Sequence, residues 1–334
     1  MKHANISIFI PHMGCPFACS FCAQNTISGA GRAPTPNEVD DTIAKAFSDI
    51  TDPSERAKTE IAFFGGSFTA IPRNYMENVL NAAKKYLGHG GFKGIRISTR
   101  PDCIDDEVLS LLKGYGVTAI ELGAQSMDDN VLSANKRGHT AKDVERASAL
   151  IRSYGFELGL QMMTGLYLST ADGDLETGRR IASLSPDTVR IYPTVIIRHT
   201  LLGRLYEQGE YVPYSFDECI GVCAELLELF ADNNIRVIRL GLHAERSLEN
   251  DMIGGFYHPA LGELVRSELV RRLIERELAD GDVTAEASQK MMSILVGHKR
   301  SNREYFKDRN VRFVRNDSLD DGYICINGKK HIVY

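Results

Sequence analysis

The chain has no tryptophan, no apolar run long enough to span a bilayer, no excess of basic charge and no low-complexity tract. The first absence excludes nothing. The second is informative: the apolar stretch in ‘MKHANISIFIPHMG’ is far shorter than a signal-peptide core or a membrane span, and no later stretch reaches that length. A cytoplasmic location with no membrane partner is therefore expected. With 39 Lys and Arg against 44 Asp and Glu, the net charge is −5, so no global basic field favours non-specific nucleic-acid binding. Net charge is silent on distribution, and a local basic patch is compatible with it. Seven cysteines cannot all pair, and Cys103, Cys219, Cys223 and Cys325 are scattered, which argues against a disulfide framework. Long repeats and flexible linkers are missing too, so any smaller region is expected to pack on the main domain.

What is present suits a soluble globular protein with a substantial core: 334 residues, 43% hydrophobic and 25% charged. Short apolar runs alternate with amphipathic stretches, the pattern of parallel βαβ units. Strands are expected at ‘ISIFIP’, ‘EIAFFGG’, ‘GIRIST’, ‘AIELGA’, ‘ELGLQMM’ and ‘TVRIYPT’, with a further short one, ‘RVIRLGL’, near Arg236–Leu242. Six such units make a doubly wound open sheet or a complete or partial barrel, and in both the chemistry belongs at the C-terminal strand ends. After Leu242 the pattern changes. ‘ALGELVRSELVRRLIEREL’ and ‘TAEASQKMMSILV’ read as helices, and the tail as short antiparallel strands with Asp-Gly and Asn-Gly turns.

The first strand runs directly into ‘HMGCPFACSFCAQN’, which places Cys15, Cys19 and Cys22 within eight residues. A C-x3-C-x2-C spacing suits a metal centre with three thiolates and one open position, as in an iron–sulfur cluster. Zinc, with His12 completing a Cys3His set, is the rival. Three unrelated core cysteines are a third reading. Further polar or glycine-rich pieces follow the next strands: ‘GGSF’ the second, ‘TRPD’ the third and ‘GAQS’ the fourth. Four consecutive strand ends of this kind point to one shared mouth.

The cysteine loop, with the aromatic Phe21 before its last cysteine, resembles that of the radical S-adenosylmethionine (SAM) superfamily. ‘ISTRPD’ (97–102), ‘IELGAQSMDDNVLSANKRGHT’ (120–140) and ‘RIYPTVIIRHTLLGRLYEQGEYVPYS’ (190–215) resemble the catalytic subunit of Elongator and, more distantly, the oxygen-independent coproporphyrinogen oxidases. The resemblance covers roughly residues 5–242. It implies an α/β fold, a partial (β/α)6 TIM-type barrel over residues 1–242 with a small C-terminal α+β region over 243–334. It also implies an enzyme with a 4Fe–4S cluster on Cys15, Cys19 and Cys22 and SAM as second cofactor, served by an electron donor such as flavodoxin or ferredoxin.

Residue by residue, Gly65 and Gly66 match where the superfamily binds the methionine amino group, and Ser67 stands where its pattern usually has Glu. Gln125, with Ser126, would face the nucleoside, and Arg137 would pair with the SAM carboxylate through charge-assisted bonds. Ser98 replaces the Glu that precedes ‘TRPD’ in Elongator, which removes a carboxylate grip on the ribose; Gln161 is a substitute polar contact. Tyr192 and Thr194 would end the sixth strand beside the adenine, with Arg190, Arg198 and Tyr206 towards the substrate. ‘GGFYHPALGE’ (254–263) reads as a loop able to close over the mouth. About 90 residues follow the barrel, too few for an acetyltransferase domain beside the appendage, so the whole Elongator reaction is not expected. An RNA base is the first expectation for the substrate, and a small metabolite or tetrapyrrole the alternative. A zinc-stabilised RNA-binding or scaffold protein without catalysis is the reading of another class; it leaves ‘GGSFT’ and ‘GAQS’ without a task.

Overall fold

The structure, a computed structural model, describes residues 4–11, 13–15, 19–23, 31–242, 246–278 and 281–333. In chain order the first eight strands are β1 (Ala4–Ile10), β2 (Thr59–Gly65), β3 (Gly94–Thr99), β4 (Val117–Gln125), β5 (Glu157–Thr164), β6 (Thr188–Pro193), β7 (Val195–Ile197) and β8 (Arg236–Leu240). All except β7 join one parallel sheet in the order β1-β2-β3-β4-β5-β6-β8. It curls into a half-barrel, the expected partial barrel, and ‘RVIRLGL’ supplies a seventh strand beside the sixth.

Alternation along the strands sets the two faces. Ile61, Phe63, Ile95, Ile97, Ile120, Leu122, Leu158, Leu160, Val189 and Ile191 belong to one buried core. Against them pack apolar residues of the crossover helices, among them Val79, Leu112, Val144, Ile181 and Leu226. Several helices start where sequence chemistry dictates. Thr35 and Glu38 form a capping box before the helix Pro36–Asp49, and Thr140 and Asp143 do the same before Ala141–Ser153.

A strand β9 (Met252–Gly255) pairs antiparallel with β7. Residues 254 and 255, expected in a mobile loop, are thus part of a ribbon, and Phe256 behind them is buried, its N–H donating to the Thr194 carbonyl at 2.8 Å. The helix Leu261–Leu278 lies against the helix Phe216–Asp232, and beyond it stands a second sheet. Its strands are β10 (Val283–Ala287), β11 (Val311–Arg315), β12 (Tyr323–Ile326) and β13 (Lys329–Ile332), in the order β11-β10-β12-β13. The helix expected at ‘TAEASQKMMSILV’ is corrected: β10 takes the first part, because Val283, Ala285 and Ala287 are buried alternately, and helix begins only at Met292. β11 runs parallel to β10, not antiparallel, whereas β12 and β13 form the expected Asn-Gly hairpin, with positive φ at Asn327 (48°) and Gly328 (84°).

Candidate active site at the barrel mouth

The cysteine loop leaves β1 and crosses the C-terminal end of β2. Three glycines make that crossing fit. A Cβ on Gly66 would sit 2.0 Å from the Met13 carbonyl oxygen, one on Gly65 2.6 Å from that of Ile10, and one on Gly14 2.3 Å from that of Ser67. The room left by the Gly65–Gly66 pair is therefore filled by the chain's own loop. The loop's far half is held from the other side: the Ser20 hydroxyl donates to Asn135 Oδ1 at 2.6 Å, and the Leu202 N–H donates to the Ser20 carbonyl at 2.8 Å. Phe21 packs against the cluster of Ile196, Leu202 and Tyr211.

No disulfide joins any two of the seven cysteines. Cys219, Cys223 and Cys325 are buried, as core residues are, whereas Cys15 is exposed and Cys19 and Cys22 are half-buried at the mouth. Among the described residues no three His, Cys, Asp or Glu side chains are already gathered as a metal cage. His12, the fourth ligand of the zinc reading, lies outside the described residues.

Arg137 connects the loop to the sheet. One guanidinium nitrogen donates to the Gly123 carbonyl at 2.6 Å and another to the Cys19 sulfur at 3.2 Å. Among the described residues its Nε is buried with no hydrogen-bond partner, and so is Gln125 Oε1. Gln125 itself is held at φ 66°, a left-handed conformation unusual for a non-glycine residue. A Cβ on Gly123 would meet Gln125 Nε2 at 2.9 Å and an Arg137 nitrogen at 3.2 Å, so both side chains lie over this glycine. Buried unsatisfied groups are rare and call for a reason. Here a donor and an acceptor wait together beside the cysteine loop. His139 lies behind them, its Nε2–H donating to the Ala124 carbonyl at 3.2 Å; burial and the Arg137 charge lower its pKa to about 4.

Other expected contacts are differently employed. Ser67 is buried; its hydroxyl shares a hydrogen bond with the Thr99 hydroxyl at 2.9 Å and accepts from the Arg100 N–H at 3.3 Å. Ser126 accepts from the Asp128 N–H at 3.1 Å, and Thr194 donates to the Thr164 carbonyl at 2.8 Å. Arg100 and Asp102 lock each other through two bonds of 2.8 and 2.9 Å. Arg198 is exposed, 4.0 Å from Glu207, and the Tyr206 ring lies against Gly254.

Below the mouth the half-barrel's inner face is filled by charge. Arg96 is fully buried and pairs with Glu60 (2.7 Å), Glu121 (3.3 Å) and Glu157 (2.5 Å). Arg190 pairs with Glu121 at 2.7 Å and lies over the Phe64 ring at 5.1 Å. Burial disfavours the Arg190 charge, but Glu121 more than offsets this, so its pKa lies above the usual arginine value. Gln161 donates to Glu121 at 3.1 Å and reaches Ser98 at 3.5 Å, so both belong to this network, and half-buried Tyr192 stands at its upper end. The row Gly123, Gln161, Arg190, Arg239 is in register across four strands. Sequence reasoning missed Glu60, Arg96, Glu121 and Glu157. The signal was available: each of the second to sixth apolar runs carries one charged residue, Glu60, Arg96, Glu121, Glu157 and Arg190.

A curled parallel sheet with a cysteine-bearing loop on its first strand and polar groups at the neighbouring C-terminal ends defines the class as a parallel β/α half-barrel with its candidate site at the mouth. Comparison with known proteins agrees. The model of the radical SAM superfamily matches residues 9–175, half of the chain, and that of the radical SAM C-terminal domain matches 186–271. The chain belongs to the radical SAM superfamily and is an enzyme of that family. It is 32% identical over 139 residues to the tRNA uridine(34) acetyltransferase of Dehalococcoides mccartyi, covering 41% of this chain and 30% of that protein. To Elongator complex protein 3 of Homo sapiens it is 32% identical over 192 residues, covering 52% and 35%. The chain thus spans about a third of the length of these relatives. In fold it is similar to the solved Elp3 of Methanocaldococcus infernus, with a TM-score of 0.64 and 21% identity, covering 81% of this chain and 64% of that one.

The site's own chemistry is compatible with the family's cofactors. Three accessible thiols supply the donors a 4Fe–4S cluster takes. The Arg137 cation beside Cys19 complements the negative charge of a thiolate-bound cluster. The unspent Arg137 Nε–H and Gln125 Oε1 match one acceptor and one donor of a zwitterionic nucleoside such as SAM. Among the described residues no helix is long and apolar enough to cross a membrane.

Proposed function

We propose that this chain binds a 4Fe–4S cluster through Cys15, Cys19 and Cys22 and SAM beside it, and that it modifies a base in RNA, with transfer RNA first. When bound, the cluster supplies one electron that cleaves SAM reductively to a 5′-deoxyadenosyl radical. The chain's residues do the rest. Arg137 takes the SAM carboxylate while remaining anchored on Gly123, and Gln125 takes a donor of the nucleoside. Gly65, Gly66 and Ser67 hold the loop against β2, and Tyr192 and Thr194 stand at the adenine side. The charged inner face closes the barrel floor to water by satisfying itself.

The observation that carries this reading is the bridge from Gly123 through Arg137 to Cys19, with a buried donor and acceptor left over. The RNA substrate is supported by the likeness to relatives whose names state tRNA uridine modification. A flavodoxin or ferredoxin is the electron donor of choice, and the cytoplasm the location. The barrel core is taken to run to 242, with 243–334 as the C-terminal region.

Anaerobic purification and reconstitution test the chemistry. A brown protein with about four iron per chain that releases 5′-deoxyadenosine and methionine under dithionite supports it. A colourless protein holding one zinc and no iron overturns it. For the substrate, modified nucleosides of a deletion strain are compared with those of its parent, and unchanged nucleosides remove the RNA reading.

A further inference from the structure

One stretch near the C-terminus carries a strong positive excess on exposed side chains. Residues 297–315, ‘GHKRSNREYFKDRNVRFVR’, hold seven Lys and Arg against two acids, a net +5 in a chain whose total is −5, so the rest carries −10. All seven cations are exposed, and the segment lies beyond residue 271, where the family models end. It forms a turn, the short helix Ser301–Tyr305 and the edge strand β11. Lys307 is paired with Glu304 and Arg315 with Asp317, but among the described residues Lys299, Arg300, Arg303 and Arg312 have no ion-pair partner.

The backbone holds this charge outward at a cost. Lys299 and Arg300 are consecutive left-handed residues, with φ 52° and 67°, a conformation that suits glycine or asparagine. The turn cannot relax, because it is fastened on both sides. Buried Asn302 donates to the Ser267 carbonyl at 2.9 Å, the His298 N–H donates to the Ser267 hydroxyl at 3.1 Å, and a Cβ on Gly297 would meet Asn302 N at 2.5 Å. Beside it Tyr305 is 45% exposed with Arg309 over its ring at 4.9 Å. Val314 is the other large exposed apolar side chain in the segment, too little for insertion into a membrane.

We infer that this basic edge of the C-terminal sheet grips the phosphate backbone of the RNA substrate; the inference rests on the RNA reading above. Unpaired, outward cations are what phosphate neutralisation needs, and an aromatic–arginine pair suits an unstacked base. The acidic remainder of the molecule repels RNA elsewhere and steers it to this one edge.

The test measures binding of labelled total tRNA to the full reconstituted chain as salt rises. The Lys299→Gly/Arg300→Gly variant removes two cations and places glycine where the backbone prefers it, so folding is preserved. Binding is expected to weaken about tenfold and the slope of log affinity on log salt to fall by about 1.4–1.8, at 0.7–0.9 per lost contact. Arg303→Ala/Arg312→Ala is expected to do the same, with iron content and SAM cleavage in the absence of RNA unchanged. Wild-type tRNA binding that neither variant weakens overturns the inference and leaves the RNA reading standing. A wild-type chain that ignores tRNA, or binds phosphatidylserine vesicles or polyglutamate in its place, overturns the inference, while the nucleoside comparison judges the RNA reading separately.

Discussion

The guanidinium of Arg137 donates to the sulfur of Cys19 at 3.2 Å while its other arm holds the Gly123 carbonyl at 2.6 Å. One side chain thus ties the cysteine loop to the fourth strand. Arg137→Lys keeps the charge but loses the planar fork. SAM affinity is expected to fall at least about tenfold, the loss of a charge-assisted contact, with iron content close to wild type. Equilibrium binding of SAM and iron analysis check this together; unchanged SAM affinity would remove Arg137 from the site.

The fit of loop to strand gives a steric prediction. Gly66→Ala puts a methyl where the Met13 carbonyl oxygen already stands at 2.0 Å, and neither backbone can yield alone. Reconstituted iron is expected to drop below about half of wild type through the displaced Cys15, as cores tolerate overpacking poorly. Gly114→Ala is the control: nothing lies within 4 Å of its Cβ, and alanine in that helix is expected to stabilise by about 0.5–1 kcal/mol.

Inside the half-barrel, Glu121 serves both Arg96 and Arg190. Glu121→Gln leaves buried cations short of a counter-charge and is expected to cost about 3–5 kcal/mol. Glu176→Gln breaks a surface pair with Arg179 and is expected to cost under about 1 kcal/mol. Chemical denaturation of both variants measures the contrast, and equal effects would refute the account of the inner face.

Asp174 makes stability depend on pH. Burial pushes its pKa up to about 6, against hydrogen bonds from Ser169, the Gly165 N–H and Tyr214 that act the other way. The folded chain keeps this proton to higher pH than the unfolded chain does. Its stabilising contribution is therefore complete below the ordinary aspartate range and is lost as pH rises through about 6. Denaturation between pH 5 and pH 7 should show stability falling with pH from this site, and Asp174→Asn should flatten that slope. A wild-type slope that survives the substitution would assign it elsewhere.

Much of the architecture was legible because it is local. Alternating apolar runs and capped helices announce parallel βαβ units, and Cys15, Cys19 and Cys22 sit within eight residues at a strand end. Where the reading failed, tertiary context overrode propensity. Residues 284–287 look helical, yet they become a strand because β11 and β12 flank them. Gly65 and Gly66 read as room for a ligand, yet the loop itself fills it.

By itself the sequence determined the family and the mouth's position and singled out Cys15, Cys19 and Cys22 as the candidate ligands, since spacing within a few residues constrains ligand chemistry directly. Only the tertiary structure decided that Arg137 meets Cys19, that Arg96 is surrounded by three carboxylates, and that Lys299 and Arg300 stand strained and outward. Those relations join residues brought together by sheet closure and burial, which no local pattern encodes.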